Sequence, residues 1–405
     1  MISVTEAESR ILKTIKRTPL EQLSIANCFG RVTGKEVVSR RTQPPIPVSA
    51  MDGYAVRATD VESVPVELCV VGYAAAGGSY DGALGVGEAV RIFTGAPVPT
   101  GADAIVIQEH TEECTKDRVL LKQSATVGTY IRPAGLDFSE GDVLIAAGTR
   151  LTARHVGLAA AMNVPWMMVH RQPRVAILAT GDEIVMPGEE IGPNQIVSSN
   201  AIALAAFVTA MGGHPILLGI APDDREALHS MTDGIAGNDM LVTTGGASVG
   251  DHDLVQEVLS NRGLNVDFWR IAMRPGKPLM FGEIEGIPVL GLPGNPVSSM
   301  VCAMIFLRPA LACMQGLDTF DQDMLNLRLA NNLPANDRRQ DYLRATFEAE
   351  KDGETTVRVF SKQDSSMMAT LTRADGLVVR KPHAEPLSAG SRVKVLRMPS
   401  GIFHV

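Results

Sequence analysis

Three loops and one short basic stretch contain the residue types from which a reaction site can be built. The segment Thr243–Asp253 reads TTGGASVGDHD and follows the apolar run Met240-Leu241-Val242. Residues 291–298 read GLPGNPVS, and TGDE at 180–183 closes the run RVAILATGDEI. Backbone N–H groups in Gly-rich turns at helix N-termini hold anions through the amides and the helix dipole. Gly245, Gly246, Gly294 and Asn295 therefore form candidate amide nests, and Ser248 and Ser298 add hydroxyl donors. Simple N-capping accounts equally well for Ser298 taken alone. The chain has neither GxGxxG nor GxxxxGK[ST], so positive charge for an anionic ligand has to come from outside these turns.

Residues 268–282, FWRIAMRPGKPLMFG, offer that charge. Arg270 and Arg274 differ by four, which on one continuous strand puts both on the same side, before the turn that Pro275 begins. Solvated charge on an edge strand is the ordinary explanation of such a pair. Placed beside Ile271 and Met273 and next to an anion nest, planar guanidinium groups suit bidentate oxyanion binding instead. The acidic half consists of Asp182 and Glu183 in the first loop, Asp223 and Asp224 in GIAPDDREAL, and Asp251 and Asp253 in the second loop. Carboxylates beside a phosphate nest suit Mg²⁺, which takes oxygen ligands and bridges to phosphate oxygens. Helix capping explains Asp223, Asp224 or Asp251 taken singly. The combination points to a phosphorylated ligand with a cation.

The elements that must position these groups follow from periodicity. From Arg174 onward the chain repeats apolar strand, polar loop and helix, as in IVSSNAIALAAFVTAMGG and then HPILLGI, which implies a parallel sheet with helices on both faces. In such sheets ligands bind at the carboxyl ends of the strands, where all three loops lie. Residues 3–17 have helical spacing with Ser3 and Glu6 as a capping box, and LTARHVGLAAAMNV returns to a helix at Thr152. From about 36 to 135 short β-rich runs alternate with Gly/Pro turns, and residues 326–405 return to strands in a separate β domain.

At 405 residues the chain is long enough for two to four domains. Its 45% hydrophobic and 20% charged residues are those of a globular protein, and a net charge of −8 argues against nucleic-acid or membrane-surface binding. The start MISVTEAESRILKTIKR lacks the apolar stretch of a signal peptide. MVCAMIFLRPALACM is cut by Arg308 and Pro309 and reads as a buried helix rather than a membrane span. Five scattered cysteines without a CxxC pair support neither disulfides nor zinc, so the cytoplasm is the expected compartment.

The motifs SAMDGYA (49–55), FTGAPVP (93–99), TGDE, TTGGASVGDHD, AMRPGKP (272–278) and GLPGNPVS occur together and in one order. With them the chain resembles, over nearly its whole length, the MoeA/gephyrin E-domain family, the molybdopterin molybdenumtransferases. The resemblance implies a multidomain α/β plus all-β protein. Residues 1–41 and 136–172 would form an elongated dimerisation region, with a β-rich module (42–135) inserted in it. A doubly wound molybdopterin-binding α/β domain (173–322) and a C-terminal β-barrel (323–405) would follow. It further implies a cytoplasmic homodimer that inserts molybdate into adenylylated molybdopterin with release of AMP, assisted by Mg²⁺. Transient contacts with an upstream adenylyltransferase and with recipient molybdoenzymes are also implied.

Carried onto this sequence, Ser298, Arg274, Arg344 and Ser365 match positions for molybdate, with Arg339 the second option in RRQDYLR. Gly245, Gly246 and Ser248 match the pterin-phosphate region, and Asp182, Pro275, Gly294 and Asn295 the surrounding substrate contacts. Glu183, Asp223 and Asp253 match acidic positions tied to the metal, and Asp52, Asp137, Glu183, Asp253, Arg270 and Arg274 those tied to catalysis. Asp52 and Thr94 would face the partner subunit's pocket. Positions 270 and 274, often lysine in the family, are arginine here. Arginine stays protonated, which favours charge stabilisation over a general-acid role. Two other readings are a molybdopterin adenylyltransferase or nucleotide pyrophosphatase on the α/β domain alone, and a scaffold that binds peptide tails.

Overall fold

The computed structural model describes residues 1–245, 254–317, 323–349 and 353–398. Its centre is a six-stranded sheet made of β1 (Arg174–Thr180), β2 (His214–Ala221), β3 (Met240–Thr244), β4 (Asn265–Trp269), β5 (Met280–Ile284) and β6 (Ile287–Leu292), in the order β2-β1-β3-β6-β5-β4. The first four strands in that order run parallel, and β5 and β4 add an antiparallel edge. Alternation along β1 shows why the sheet is covered on both faces. Val175, Ile177 and Ala179 pack with Leu204, Phe207 and Val301, whereas Ala176 and Leu178 pack with Leu228, Val258 and Leu259. An all-apolar strand is what two buried faces require. The chain steps from β1 to β2 on one side and then to β3 on the other, so the topological switch lies between β1 and β3.

The flanking helices begin and end where local chemistry dictates. Asn200–Ala210 stops before Gly212, whose φ is +82°. Arg225–Met231 is capped by the Asp224 carboxylate, which accepts from the Ala227 amide at 2.9 Å. Pro296–Cys302 opens with proline at its first position, where no amide is lost. It continues through a π-helical turn, Ala303–Leu307, into Arg308–Met314. This continuous helix is long and apolar enough to cross a membrane, yet 83% of its most apolar window is buried inside the protein. It is a core helix, as its interruption by Arg308 and Pro309 suggests.

The helix Val4–Thr14 is capped by Ser3, which accepts from the Glu6 amide, while the Glu6 carboxylate turns to Arg10 instead of closing a capping box. Its apolar stripe, Val4, Ala7 and Ile11, enters the core of the central domain. Leu20–Ser24 pairs with Trp166–His170, and Val37–Val38 with Val143–Ile145, so two distant pieces of chain meet side by side. Between them lies a six-stranded sheet built from residues 53–121, packed on both faces by separate apolar clusters.

The C-terminal strands form a closed barrel. Gln340–Ala349 pairs with both Thr355–Val359 and Gly376–Arg380, and the circuit is completed through Met324–Leu329 and Arg392–Arg397. Closure leaves no free edge in the ring itself. One further strand joins it from outside: Met273–Arg274 pairs in parallel with Gln340–Asp341.

Candidate functional site

The carboxyl ends of β1, β3 and β6 converge. A Cβ on Gly245 would fall 2.4 Å from the Thr180 carbonyl oxygen, and Gly245 has a φ of +92°, so the β1 and β3 loops touch at a place only glycine fits. Gly294 is packed against Gly245. Asn200 locks the β3 and β6 loops together by donating to Thr244 Oγ1 at 2.8 Å and to the Gly294 carbonyl at 2.7 Å. At the same junction the buried Thr180 hydroxyl has no partner among the described residues. Gly246, Ser248 and Asp253 lie outside the described residues.

The barrel supplies the other wall. Asn295 stands at the helix N-terminus without capping it. Its Nδ2 instead donates to Ser365 Oγ at 3.0 Å, and the Val297 amide donates to the Ser365 carbonyl at 3.0 Å. Ser298 is buried in the first turn of the same helix. Arg344 is almost fully buried and is bound at Gln363 and at the carbonyls of Asp364 and Met367, so it builds the loop that presents Ser365. Burial pulls its guanidinium below the ordinary arginine range.

The two arginines of the basic stretch differ from expectation. They do not share one strand. β4 ends at Trp269, and Arg270 has a φ of +74°, which breaks the extended chain. Arg270 is exposed and stacks its guanidinium 5.1 Å from the Trp269 ring centre, with no ion pair among the described residues. Arg274 lies on the strand that joins the barrel and is followed by a cis bond to Pro275. It binds Asp341 through Nη2, reaches Asn336 at 3.3 Å, and lies 3.5 Å from Asp337. Arg339 is clamped on Asp337, with Nη2 at 2.7 Å. That clamp holds the Asp337 carboxyl at about 2.

The acidic residues split into two places. The Asp182 carboxylate accepts from the Asp223 amide at 3.0 Å, bringing the β1 and β2 loops together, with Glu183 exposed beside them. None of the three has an ion-pair partner among the described residues, and no three acidic, His or Cys side chains there cluster as a metal cage. Asp52 accepts from the Thr94 amide at 2.8 Å and the Thr94 hydroxyl at 2.7 Å, which holds its carboxyl below the usual range. Asp137 is exposed on the wall of a cavity of about 860 Å³ in the β module, lined also by Gln43, Gly95 and Arg132. No hydrogen bond among the described residues links Asp52 or Thr94 to the central domain of its own chain.

Asn200, Asp337, Asp341 and Gln363 escaped sequence reasoning. Asn200 carries a signal, since a polar residue at a helix start next to an anion loop has a second use besides capping. The other three depend on barrel register.

Comparison with known proteins places this arrangement. Residues 2–163 match the MoeA N-terminal region (domain I and II), residues 176–312 the probable molybdopterin binding domain, and residues 326–398 the MoeA C-terminal region (domain IV). A molybdopterin molybdenumtransferase of Nostoc sp. is 34% identical, over 94% of this chain and 89% of its own. That of Haemophilus influenzae is 30% identical over 98% of each chain. Two structures of the molybdopterin biosynthesis MoeA protein from Pyrococcus horikoshii superpose with TM-scores of 0.85 and 0.84, at 31% and 26% identity. They cover 99% and 98% of this chain and all of theirs. With its three matched regions in order and its switch-point loops facing a closed barrel, the chain belongs to the MoeA family of molybdopterin molybdenumtransferases, transferases of molybdenum cofactor biosynthesis.

Proposed function

We propose that the chain takes adenylylated molybdopterin and molybdate, releases AMP, and leaves molybdenum on the dithiolene sulfurs, working as a homodimer with Mg²⁺. The carrying observation is the meeting of the switch-point loops with the barrel, at Gly245, Gly294, Asn295 and Ser365. Amides at Gly245 and Gly294, together with the Asn295–Ser365 bridge, suit a phosphorylated pterin. Arg274 supplies charge for the oxyanion next to Pro275, and Ser298 and Ser365 supply hydroxyls. Arg344 holds the Ser365 loop through three of its five N–H groups, one each from Nε, Nη1 and Nη2, and the remaining two suit the oxyanion. Arg339, the second option, is held on Asp337 through Nε and Nη2.

Of the metal positions Glu183, Asp223 and Asp253, the first two present exposed carboxylates with no ion-pair partner among the described residues, a donor chemistry that suits a hard divalent cation. Bound there, Mg²⁺ supplies neutralisation of phosphate charge, and two or three carboxylates suffice because substrate oxygens and waters complete its shell. The Asp52–Thr94 pair reads as a contribution to the partner's site. Its carboxylate is preorganised by two donors from Thr94 and has no hydrogen bond to the central domain among the described residues. The test is AMP release from adenylylated molybdopterin with Mg²⁺, followed by chromatography. Molybdate-dependent release supports the reading. Accumulation of adenylylated molybdopterin from ATP and molybdopterin would establish an adenylyltransferase instead.

A further inference from the structure

Three charged residues lie in register across neighbouring strands at the barrel. Arg274 is paired with Asp341 on one side, and Arg380 is paired with the same Asp341 on the other. Register partners on adjacent strands project to the same face, about one strand spacing apart. The Asp341 carboxylate therefore stands between two guanidinium groups. It is bonded to only one: Oδ2 accepts from Arg274, and the buried Oδ1 has no partner among the described residues.

Arg380 mirrors that deficit. Its side chain is buried and anchored through Nη2 on the carbonyls of Pro334, Ala384 and Glu385, while Nε and Nη1 have no partner among the described residues. Burial pulls the Arg380 guanidinium down, and the Asp341 charge opposes that shift. All three side chains line one cavity of about 310 Å³, so there is room to rotate. Buried polar groups without partners are costly, and their coincidence on register-paired residues calls for a second arrangement that satisfies them.

We propose that Arg380 is a positioning residue that receives the Asp341 carboxylate when Arg274 turns to its oxyanion substrate. The inference rests on the reading that Arg274 meets that oxyanion. As it stands, Arg274 is neutralised by the barrel's carboxylates. Drawing it away would leave the buried Asp341 without a bonded cation, since Arg339, which also acts on it, is clamped on Asp337, and a buried carboxylate so left is costly. Handing Asp341 across to Arg380 Nε and Nη1 removes the penalty and frees one guanidinium face. No covalent bond changes and no proton moves, since both arginines stay charged throughout.

The test measures molybdate dependence of AMP release by the full-length protein. Arg380→Met raises the half-saturating molybdate concentration about tenfold while the rate at saturation changes by less than about twofold, and Arg380→Lys restores most of the loss by keeping the charge. In an Asp341→Asn background, which leaves no charge to hand over, Arg380→Met has no further effect. Thermal melts of each variant report any loss of the barrel itself. The hand-over is overturned if Arg380→Met lowers the melting temperature without moving the half-saturating concentration, or acts equally in the Asp341→Asn background. If Arg274→Ala itself leaves molybdate dependence unchanged, the oxyanion assignment fails. If Arg274→Ala raises it and Arg380→Met does not, only the hand-over fails.

Discussion

Arg274 carries a permanent charge that acceptors in the barrel already share, and this sets how its removal will register. Arg274→Ala should raise the molybdate concentration for half-maximal AMP release by roughly tenfold, the loss of one charge-assisted contact. Affinity for adenylylated molybdopterin, measured by titration, should fall much less, and equal loss of both would contradict the assignment. Nearby, Asp337 gives a pH prediction with a definite sign. Its carboxyl is held at about 2 by Arg339, below the ordinary 3.8. The stability it adds is therefore complete above that ordinary value and is lost as pH falls through about 2. Because the pair is partly exposed, Asp337→Asn should cost under about 1 kcal/mol at neutral pH and flatten the acid limb of a melting profile.

At the scale of elements, much of the design is legible in the residues. β1, β2 and β3 are apolar runs ended by polar turns, the barrel strand Met324–Leu329 alternates, and Pro296 and Gly212 punctuate their helices as local chemistry predicts. The switch-point loops follow from that alternation alone. What escapes is anything set by register or by a single dihedral. A spacing of four places Arg270 and Arg274 together only if the strand is unbroken, and the positive φ at Arg270 breaks it. Asp341 lies 67 positions from Arg274 and nothing in either neighbourhood announces the pairing. Gly245 is the element-level test of the site. Gly245→Ala puts a methyl 2.4 Å from the Thr180 carbonyl at a φ that alanine resists. It should cost about 1–3 kcal/mol, read in thermal unfolding, and weaken pterin binding more than molybdate binding.

For the whole molecule, the division of labour between the β module and the other domains makes a prediction about assembly. If Asp52 serves the partner's pocket, Asp52→Asn and Arg274→Ala proteins are each strongly impaired at molybdate well below half-saturation, yet dimers containing one of each hold one intact site. Random re-pairing of the two variants should restore about a quarter of wild-type activity, by the symmetry of a two-fold dimer. No recovery on mixing, with subunit exchange verified by mass, would place Asp52 in its own chain's site. Sedimentation gives the companion measurement, a particle of twice the chain mass.

The strand Met273–Arg274 belongs by sequence to the central domain and by hydrogen bonding to the barrel sheet. Most domain junctions are held by side chains and can slide. This one is a main-chain splice, and a strand can shift in its ladder only by whole residues. Sliding the two bodies along this strand by a fraction of a residue would break the ladder, so their offset along it is indexed in whole residues.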